Sequence, residues 1–480
     1  MSVLVTNPPW PGPGYGARSD VRWPHRRSDK YLVYPIYLAY VVAILEKAGI
    51  DVHFIDGIAD DLSIQAFVDR AKKINPHLVA MECSTPSITK DLTTAKKLKK
   101  ELKDSFIVLM GSHPTYFHKE ILSRNKFVDA IARGEFDLTI RDLSLAIKNG
   151  KNQLEDVKGI SYRDGDTVRI NEDRPLIQDL DSLPFPARHI VRSKSYREAV
   201  FTGKRCTTLV TSRGCPYQCV YCLWPRTMYG RKFRARSPTN VVDEIEHVVN
   251  EHGVDEIYFD DDTFNLNMSR TMKICKEIIK RGIEVMWMPQ CRVDKVDLEL
   301  LREMKRAGCH YIKYGVESGS QEMLDTMKKG ITLEDVRRAF KLTRKVGIKT
   351  QAFFLLGLPG ETHETVKKTI DFAKEIKPDS AQFAVVIPHP GTELYDVCLE
   401  KGWLRYESWE DFDCRKALIE TENFSIKDVE KSRTKAYREF YLRPSYILRT
   451  TLKLWNPKEA KRIIRSAKSV IERISYYGES

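Results

Sequence analysis

Short apolar runs alternate with amphipathic stretches along the first 150 residues of the chain. The apolar runs are rich in Val, Ile and Leu and predict strands, whereas stretches with apolar positions three to four residues apart predict helices. Strands that alternate with helices predict an α/β fold with a doubly wound, Rossmann-like parallel sheet. The predicted strands are 3–6, 52–55, 78–81, 106–110 and 130–132.

The same alternation returns after residue 200 and predicts a second α/β domain. Its six strands are predicted to be parallel, which implies a partial (βα)6 TIM barrel. In barrels of this kind the chemistry takes place at the carboxyl ends of the strands. The predicted strands are 207–211, 256–259, 285–288, 311–314, 350–356 and 381–387.

These patterns divide the chain into four predicted parts. The N-terminal domain covers 1–150 and the barrel covers 201–402. Between them, residues 151–200 are predicted to form a β-hairpin at 159–168 and a proline-containing linker. Helical periodicity at 427–441, 445–454 and 457–474 predicts that the last part, 403–480, is a helical cap on the barrel.

The net charge of +13 is unevenly distributed, because residues 427–480 hold 14 Lys and Arg but only 6 Asp and Glu. A basic tail suits an anionic partner, and a solvated helix face explains it equally well. Its last predicted helix sets Ile and Val opposite basic residues, so peripheral membrane contact is one hypothesis. No apolar run reaches the roughly 18 residues that span a bilayer, and no signal peptide is recognisable. We therefore expect a cytoplasmic protein that associates at most with a membrane surface.

Three cysteines lie close together just after the first predicted barrel strand. Cys215, Cys219 and Cys222 have the spacing Cys-x3-Cys-x2-Cys, and Gly214 and Pro216 turn the chain into a loop there. Three thiolates can hold three irons of a cubane cluster and leave the fourth iron open, whereas such clusters usually have four cysteine ligands. A structural zinc site would need a fourth ligand, usually from a second pair, and the sequence has no such pair downstream.

This spacing, with Tyr221 just before the third cysteine, resembles the signature of the radical S-adenosylmethionine (SAM) superfamily. The resemblance implies that the three cysteines hold one [4Fe-4S] cluster. It also implies that SAM chelates the open iron and is cleaved reductively to a 5′-deoxyadenosyl radical. An electron donor of the flavodoxin or ferredoxin type would then be a partner.

Polar and glycine-rich motifs follow the barrel strands, where the resemblance places SAM. It implies that Asp260 or Asp261 contacts the SAM amino group and that Glu317 faces the ribose or the methionine end. Arg292 is expected to reach the SAM carboxylate. Gly357 and Pro359 are expected to shape the adenine pocket, although 357–360 also has the composition of an ordinary turn.

Small and polar residues also follow the N-terminal strands, at the edge where doubly wound sheets bind ligands. This arrangement is similar to the cobalamin-binding domain of one radical SAM subfamily and implies bound cobalamin. His53 nearly fits the cobalt-ligating Asp-x-His-x2-Gly loop of classical cobalamin proteins. Gly57 is one residue too far along, however, so we interpret His53 as structural. The predicted cobalamin-binding residues are Asn7, Pro8, Asp56, Gly57, Ser84, Thr85, Gly111, Ser112, Gly134 and Glu135.

The resemblance implies a cobalamin-dependent radical SAM enzyme that methylates an unactivated carbon of a small molecule, such as a lipid, a tetrapyrrole or another secondary metabolite. The alternative is a ring-forming or ring-rearranging cyclase, as in the anaerobic magnesium-protoporphyrin ester cyclase and the hopanoid and tetraether lipid enzymes. An RNA methylthiotransferase fits less well. Those enzymes carry three cysteines in their N-terminal domain, where this chain has only Cys83. We expect no DNA partner.

Overall fold

The N-terminal part of the protein is a layered α/β domain. The computed structural model describes residues 1–12, 15–18, 24–27, 32–150, 154–192, 196 and 205–451. In chain order the strands of this part are β1 (Ser2–Asn7), β2 (Tyr15–Ala17), β3 (His25–Arg27), β4 (Asp51–Asp56), β5 (Leu78–Glu82), β6 (Phe106–Met110), β7 (Ala130–Ala132), β8 (Ile160–Asp164) and β9 (Thr167–Ile170). The helices are α1 (Ile36–Lys47), α2 (Ile64–Ile74), α3 (Ile88–Glu101), α4 (Ser112–Tyr116), α5 (His118–Arg124) and α6 (Asp137–Lys148).

One sheet organises this domain, with the strand order β4-β1-β5-β6-β7-β8-β9. The first five strands are parallel, as the alternation of apolar runs and helices predicts. The chain passes from β1 outward to β4 and then back across to β5. Strand order therefore reverses between β1 and β5, and the crevice beyond their carboxyl ends is where such sheets bind ligands.

The predicted hairpin forms at the expected residues and joins the N-terminal sheet. Strands β8 and β9 form it, but β8 also pairs with β7 in antiparallel fashion and extends the N-terminal sheet. This pairing satisfies backbone groups along the outer edge of β7, which would otherwise be exposed. The sheet thus continues past residue 150, where the sequence suggested that the domain ends.

The second domain is an open, partial barrel of six parallel strands in the order β10-β13-β14-β15-β16-β17. A short ladder of β11 and β12 accompanies it. The strands are β10 (Cys206–Leu209), β11 (Ser212–Arg213), β12 (Arg234–Ala235), β13 (Glu256–Phe259), β14 (Met286–Cys291), β15 (Tyr311–Glu317), β16 (Lys349–Leu356) and β17 (Ser380–Val385). The helices are α7 (Trp224–Thr227), α8 (Pro238–His252), α9 (Met268–Lys280), α10 (Leu298–Arg306), α11 (Gln321–Thr326), α12 (Leu333–Val346), α13 (His363–Ile376) and α14 (Glu393–Glu400).

Four strands differ from their predicted ends near the barrel mouth: β10 and β17 end earlier, at Leu209 and Val385, whereas β14 and β15 end later, at Cys291 and Glu317. β10 stops at Leu209 because the backbone N–H of Thr211 donates to the Asp261 carboxylate rather than continuing the ladder (3.1 Å). β15 runs on to Glu317 because its pairing with β16 continues, with a register shift between Gly315 and Glu317. The predicted six-stranded barrel is otherwise confirmed.

Two C-terminal helices, α15 (Ile426–Tyr441) and α16 (Pro444–Thr451), cover the open side of the barrel. Tyr437 and Tyr441 of α15 bond to the backbone of β17, the last strand of the sheet. The helix therefore satisfies polar groups of an edge that would otherwise be exposed. The predicted helix 457–474 lies outside the described residues. Within the described part, none of the helices is long and apolar enough to span a membrane.

A buried group of charges joins the two α/β domains. Arg213, just before the cysteine loop, is 2 % exposed and donates to Glu135 (2.8 Å) and to both oxygens of Asp137 (2.9 and 3.0 Å). Arg234 donates to the same Glu135 from the neighbouring strand (2.8 Å). Two cations and two anions thus balance each other, and they connect the barrel to the N-terminal domain.

We predict that Asp137→Asn destabilises the protein. Removing one partner of a buried ion pair leaves an uncompensated charge and costs about 3–5 kcal/mol. The midpoint of urea unfolding, followed by tryptophan fluorescence, should fall clearly. The exposed pair of Lys126 and Asp166 supplies the control, because Asp166→Asn should leave that midpoint unchanged. Equal midpoints for the two variants would contradict a role of this network in holding the domains together.

Candidate functional site

The cysteine loop follows β11 and crosses the mouth of the barrel. Gly214 adopts φ +84, and a Cβ there would lie 2.4 Å from the carbonyl oxygen of Lys232. Only glycine fits this turn, which delivers the chain to Cys215. Cys219 is buried, whereas Cys215 and Cys222 are half-buried. Among the described residues, no three His, Cys, Asp or Glu side chains are placed to hold a single metal ion.

The acidic residues after β13 hold this loop. Asp261 accepts hydrogen bonds from the backbone and hydroxyl of Thr211 (3.1 and 2.8 Å) and from the hydroxyl of Ser212. Asp262 accepts from the backbone N–H of Gly214 (2.8 Å). Burial raises the pKa of the Asp261 carboxyl, and these hydrogen bonds oppose that shift. Asp261 thus anchors the loop, while Asp260, also buried beside it, stays a predicted SAM contact.

Glu317 lies at the end of β15 in a backbone conformation that is rare for any residue except glycine, with φ +70. Strained residues of this kind concentrate at functional sites. Its carboxylate accepts from the ammonium group of Lys329 (2.6 Å), and both side chains are buried. Gly315 makes room for the pair, because a Cβ there would lie 2.5 Å from the Glu317 carboxylate. Burial raises the pKa of Tyr221 in the cysteine loop, and the nearby Glu317 carboxylate raises it further.

Arg292 has protein partners for all of its donor groups. Its guanidinium donates to the Asp294 carboxylate (2.8 Å) and to the carbonyls of Lys329 and Gly330 (3.1 and 3.0 Å). It also stacks on the ring of Tyr217 in the cysteine loop, 3.4 Å from the ring centroid. These contacts connect the cysteine loop to the segment that carries Lys329. The contact of Arg292 with the SAM carboxylate stays a prediction.

The turn after β16 is rigid and buried. Gly357 has φ +89, and a Cβ there would lie 2.9 Å from Val429 of α15. Its N–H donates to the carboxyl of Glu361. Burial raises the pKa of that carboxyl to about 8. Pro359 is half-buried in the same turn. The structure thus brings Gly357 and Pro359 to the barrel mouth, and their contact with adenine stays a prediction.

The polar residues after β1 and β4 mostly bond to one another. Asn7 donates to Asp56 (3.0 Å), and Asp56 also accepts from Tyr196 (2.9 Å). Arg18 donates to Asn7 and to the Pro8 carbonyl, and it is paired with buried Asp91 (2.6 Å). These contacts fill much of the crevice beside β1. Gly57 is equally tightly placed, since a Cβ there would lie 2.6 Å from the ring of Pro9.

The loops after β5 and β6 present a different surface. Ser84 and Thr85 precede α3, with Ser84 bonded to Ser87 (2.8 Å) and Thr85 to the ring of His113 (3.2 Å). Gly111 packs against the Cys83 carbonyl, where a Cβ would be only 2.3 Å away. Ser112 begins α4 and is buried. The edge thus carries hydroxyl and imidazole groups without charge.

The last two predicted cobalamin residues lie at the domain junction. The Gly134 N–H donates to the Thr115 hydroxyl (3.0 Å), and its α-carbon faces the carbonyl of Met228 in the barrel domain. Glu135 is engaged by Arg213 and Arg234. The Glu135 carboxylate therefore joins the domains, and no described oxygen of it is directed to a ligand by these contacts.

The structure also reveals site residues that the strand-end motifs did not indicate. Lys329 lies twelve positions after Glu317, behind the short helix α11, and only the fold brings the two together. His389 follows β17 and lies 6.2 Å from the Phe412 ring of the C-terminal segment. Burial lowers the pKa of His113 in the N-terminal domain, and His389 adds to that shift.

The residues present suit the cofactors that the sequence implies. Three thiols at a barrel mouth fit an iron–sulfur cluster with one open iron. The Glu317–Lys329 pair offers both signs of charge to the amino and carboxylate groups of SAM. Hydroxyl groups on the N-terminal edge fit the amide-bearing periphery of a corrin.

Comparison with known proteins assigns the class. Residues 209–373 match the Radical SAM superfamily, and residues 25–144 match the B12 binding domain. The chain belongs to the radical SAM enzymes that carry a cobalamin-binding domain, the family of the cobalamin-dependent methyltransferases. This confirms the expected fold class and the expected cofactors, a [4Fe-4S] cluster, SAM and cobalamin.

The particular relatives are methyltransferases and cyclases. The chain is 32% identical over 415 residues to an uncharacterized methyltransferase, PH0819, of Pyrococcus horikoshii, covering 86% of this chain and 89% of the relative. It is 34% identical over 368 residues to the anaerobic magnesium-protoporphyrin IX monomethyl ester cyclase of Cereibacter sphaeroides, covering 75% of this chain and 60% of the relative. Its fold matches that of the cobalamin-dependent SAM radical enzyme OxsB, with a TM-score of 0.75 at 18% identity over 98% of this chain and 71% of that chain.

We predict that Gly214→Ala prevents formation of the cluster. The added methyl group would collide with a backbone carbonyl and displace Cys215. After reconstitution without oxygen, bound iron and the charge-transfer absorbance should fall to background. Gly360→Ala is the matched control, because Gly360 has a similar φ of +87 but open space around it. Full iron content in Gly214→Ala would contradict this placement of the loop.

Proposed function

We propose that the enzyme transfers a methyl group from SAM, by way of cobalamin, to an unactivated carbon of an uncharged or weakly polar small molecule. One observation carries the proposal: the mouth of the barrel and the carboxyl edge of the N-terminal sheet meet, because Tyr116 after β6 packs on Tyr395 after β17 with 6.1 Å between the ring centroids. Ligands held at the two ends would therefore share one interdomain space. The match to a methyltransferase over most of both chains supports methylation as the reaction.

The chain's own residues have distinct roles in this proposal. Cys215, Cys219 and Cys222 hold the cluster, and Asp261 and Arg213 keep their loop in place. When bound, the cluster and SAM supply a carbon radical that removes a hydrogen atom from the substrate, and cobalamin supplies the methyl group. Burial of the loop among barrel residues excludes water from the radical. A reducing partner provides electrons, as in radical SAM enzymes generally.

The Glu317–Lys329 pair is suited to bind the amino acid part of SAM. That part is a zwitterion with one ammonium and one carboxylate. We infer that it replaces the internal ion pair, with Glu317 accepting from its ammonium and Lys329 donating to its carboxylate. Both protein charges would then remain paired when SAM is bound, which a buried site requires.

Lys329→Met tests this assignment. We predict that it weakens SAM binding at least about tenfold, since a hydrogen bond to a charged group contributes about 1.5–3 kcal/mol. Binding of decarboxylated SAM should change little, because that compound lacks the partner of Lys329. Anaerobic equilibrium dialysis measures both affinities. Lys328→Met is the control, since the Lys328 side chain is half exposed and pairs with Glu393. Equal losses of affinity for SAM and for decarboxylated SAM would show that Lys329 has only a structural role.

A cyclase is the second candidate. The similarity to the magnesium-protoporphyrin ester cyclase at 34% identity favours it. The two reactions differ in the fate of the SAM methyl group, because a cyclase leaves no methyl group on its product.

An isotope experiment separates the two. We predict that the reconstituted enzyme, given SAM with a deuterated methyl group and mixed lipids and tetrapyrroles, yields a product that retains the deuterated methyl. Mass spectrometry detects the label. A product that has lost hydrogen but carries no label would establish the cyclase instead. Cys219→Ala is the control and should form neither product nor 5′-deoxyadenosine.

Lipid substrates and contact with a membrane surface are a further part of the proposal. Leu442, Ile447 and Leu448 are exposed around α16, beside the basic residues Arg443 and Arg449. Apolar side chains flanked by cations are typical of segments that lie on anionic membranes. Sedimentation of the enzyme with anionic but not neutral vesicles would support this contact.

A further inference from the structure

His389 is a buried imidazole in an unusual state. It follows β17 between two prolines and is only 2 % exposed. Neither ring nitrogen has a hydrogen-bond partner among the residues that the structure describes. Buried polar side chains nearly always have such a partner in native proteins. An imidazole held this way points to a ligand that supplies the missing hydrogen bond.

The loop that carries this ring is held by backbone contacts. The N–H of His389 donates to the Ile387 carbonyl (3.0 Å), and its own carbonyl accepts from the backbone and hydroxyl of Thr392 (3.1 and 2.7 Å). Pro388 and Pro390 restrict the chain on either side. The loop is also packed tightly, since a Cβ at Gly391 would lie 2.6 Å from Thr227. The fold therefore holds the backbone of His389 at the edge of the barrel mouth.

The ring borders a small, partly open cavity at the barrel mouth. Tyr221, which lies between two of the three cysteines, forms one wall, and Leu355 and Val386 form another. Cys414 of the C-terminal part closes a third side. None of the described residues that line the cavity carries a charge. The cavity is thus next to the cluster loop and is chemically apolar apart from His389 and Tyr221.

His113 approaches from the N-terminal domain. Burial lowers the pKa of both imidazoles to about 3, so both are neutral near pH 7. The Phe412 ring lies 6.2 Å from His389, and the Trp409 ring lies 5.0 Å from His113. The barrel, the N-terminal domain and the C-terminal segment thus meet around His389.

We propose that His389 binds the substrate through a hydrogen bond to an uncharged polar group, such as a hydroxyl or a pyrrole N–H. This inference rests on the proposed function, because it takes the substrate to lie between the barrel mouth and the N-terminal domain. A neutral imidazole offers one donor and one acceptor. A charged group would lose its hydration in this uncharged cavity without gaining an ionic partner, so the part of the substrate bound here is neutral.

Single-ring probes of equal size test the proposal on the reconstituted holoenzyme. Phenol carries a hydroxyl, toluene carries none, and benzoate is charged. We predict that phenol binds about tenfold more tightly than toluene, because one hydrogen bond contributes a free energy of that size. Benzoate should not bind. His389→Leu should abolish the preference for phenol and leave toluene binding within about twofold. His363→Leu, on the exposed face of α13, should retain the preference.

A measurement on the unaltered enzyme guards against misfolding of the variant. In protein labelled with ¹⁵N-histidine, phenol should shift the NMR signals of the His389 ring nitrogens, and toluene should not. Phenol that binds no better than toluene, or that leaves those signals unmoved, would overturn the proposal. Iron content and SAM binding are measured on the same samples. If they are absent, the proposed function itself fails; if they are normal and phenol shows no preference, only the assignment of His389 fails.

Discussion

The buried ion pairs of Arg213 are the interaction on which the site depends. Arg213 belongs to the cysteine loop in sequence, yet its partners Glu135 and Asp137 belong to the other domain. Its guanidinium also lies about 5 Å from the rings of Tyr40 and Tyr229. A buried arginine without these carboxylates would be costly, so the loop takes its position only when the domains are docked. The N-terminal domain is therefore a structural part of the cluster site.

The same loop is held from the barrel side by carboxylates that the sequence could not distinguish from ligands. Asp261 and Asp262 accept its backbone and hydroxyl hydrogen bonds, whereas Glu317 is paired with Lys329 and strained. All of these residues follow barrel strands and have similar composition. Only their partners separate an acid that fixes a loop from one that forms a buried pair with a lysine.

The distance in sequence between contacting residues explains how much of the fold and of the site could be predicted. Apolar periodicity predicted most strands, and local spacing predicted the cysteine loop, because both signals lie within a few neighbouring residues. The Glu317–Lys329 pair, the docking role of Glu135 and the placement of the hairpin on β7 each depend on contacts between distant parts of the chain. Such contacts leave no periodic trace in one sequence. Arg292 is a similar case, since its contacts with Lys329 and Gly330 could not be predicted from the sequence, and its contact with the SAM carboxylate stays a prediction.

The C-terminal segment closes the space between the domains and therefore influences which substrate fits. Its Trp409 packs on His113 and Phe117 of the N-terminal domain, and Phe412 packs near His389 of the barrel. This aromatic segment is anchored on both sides, because the following helix α15 also bonds to β17. Under the proposed function, in which the substrate lies between the domains, this aromatic segment rather than the cysteine motif would contact the substrate.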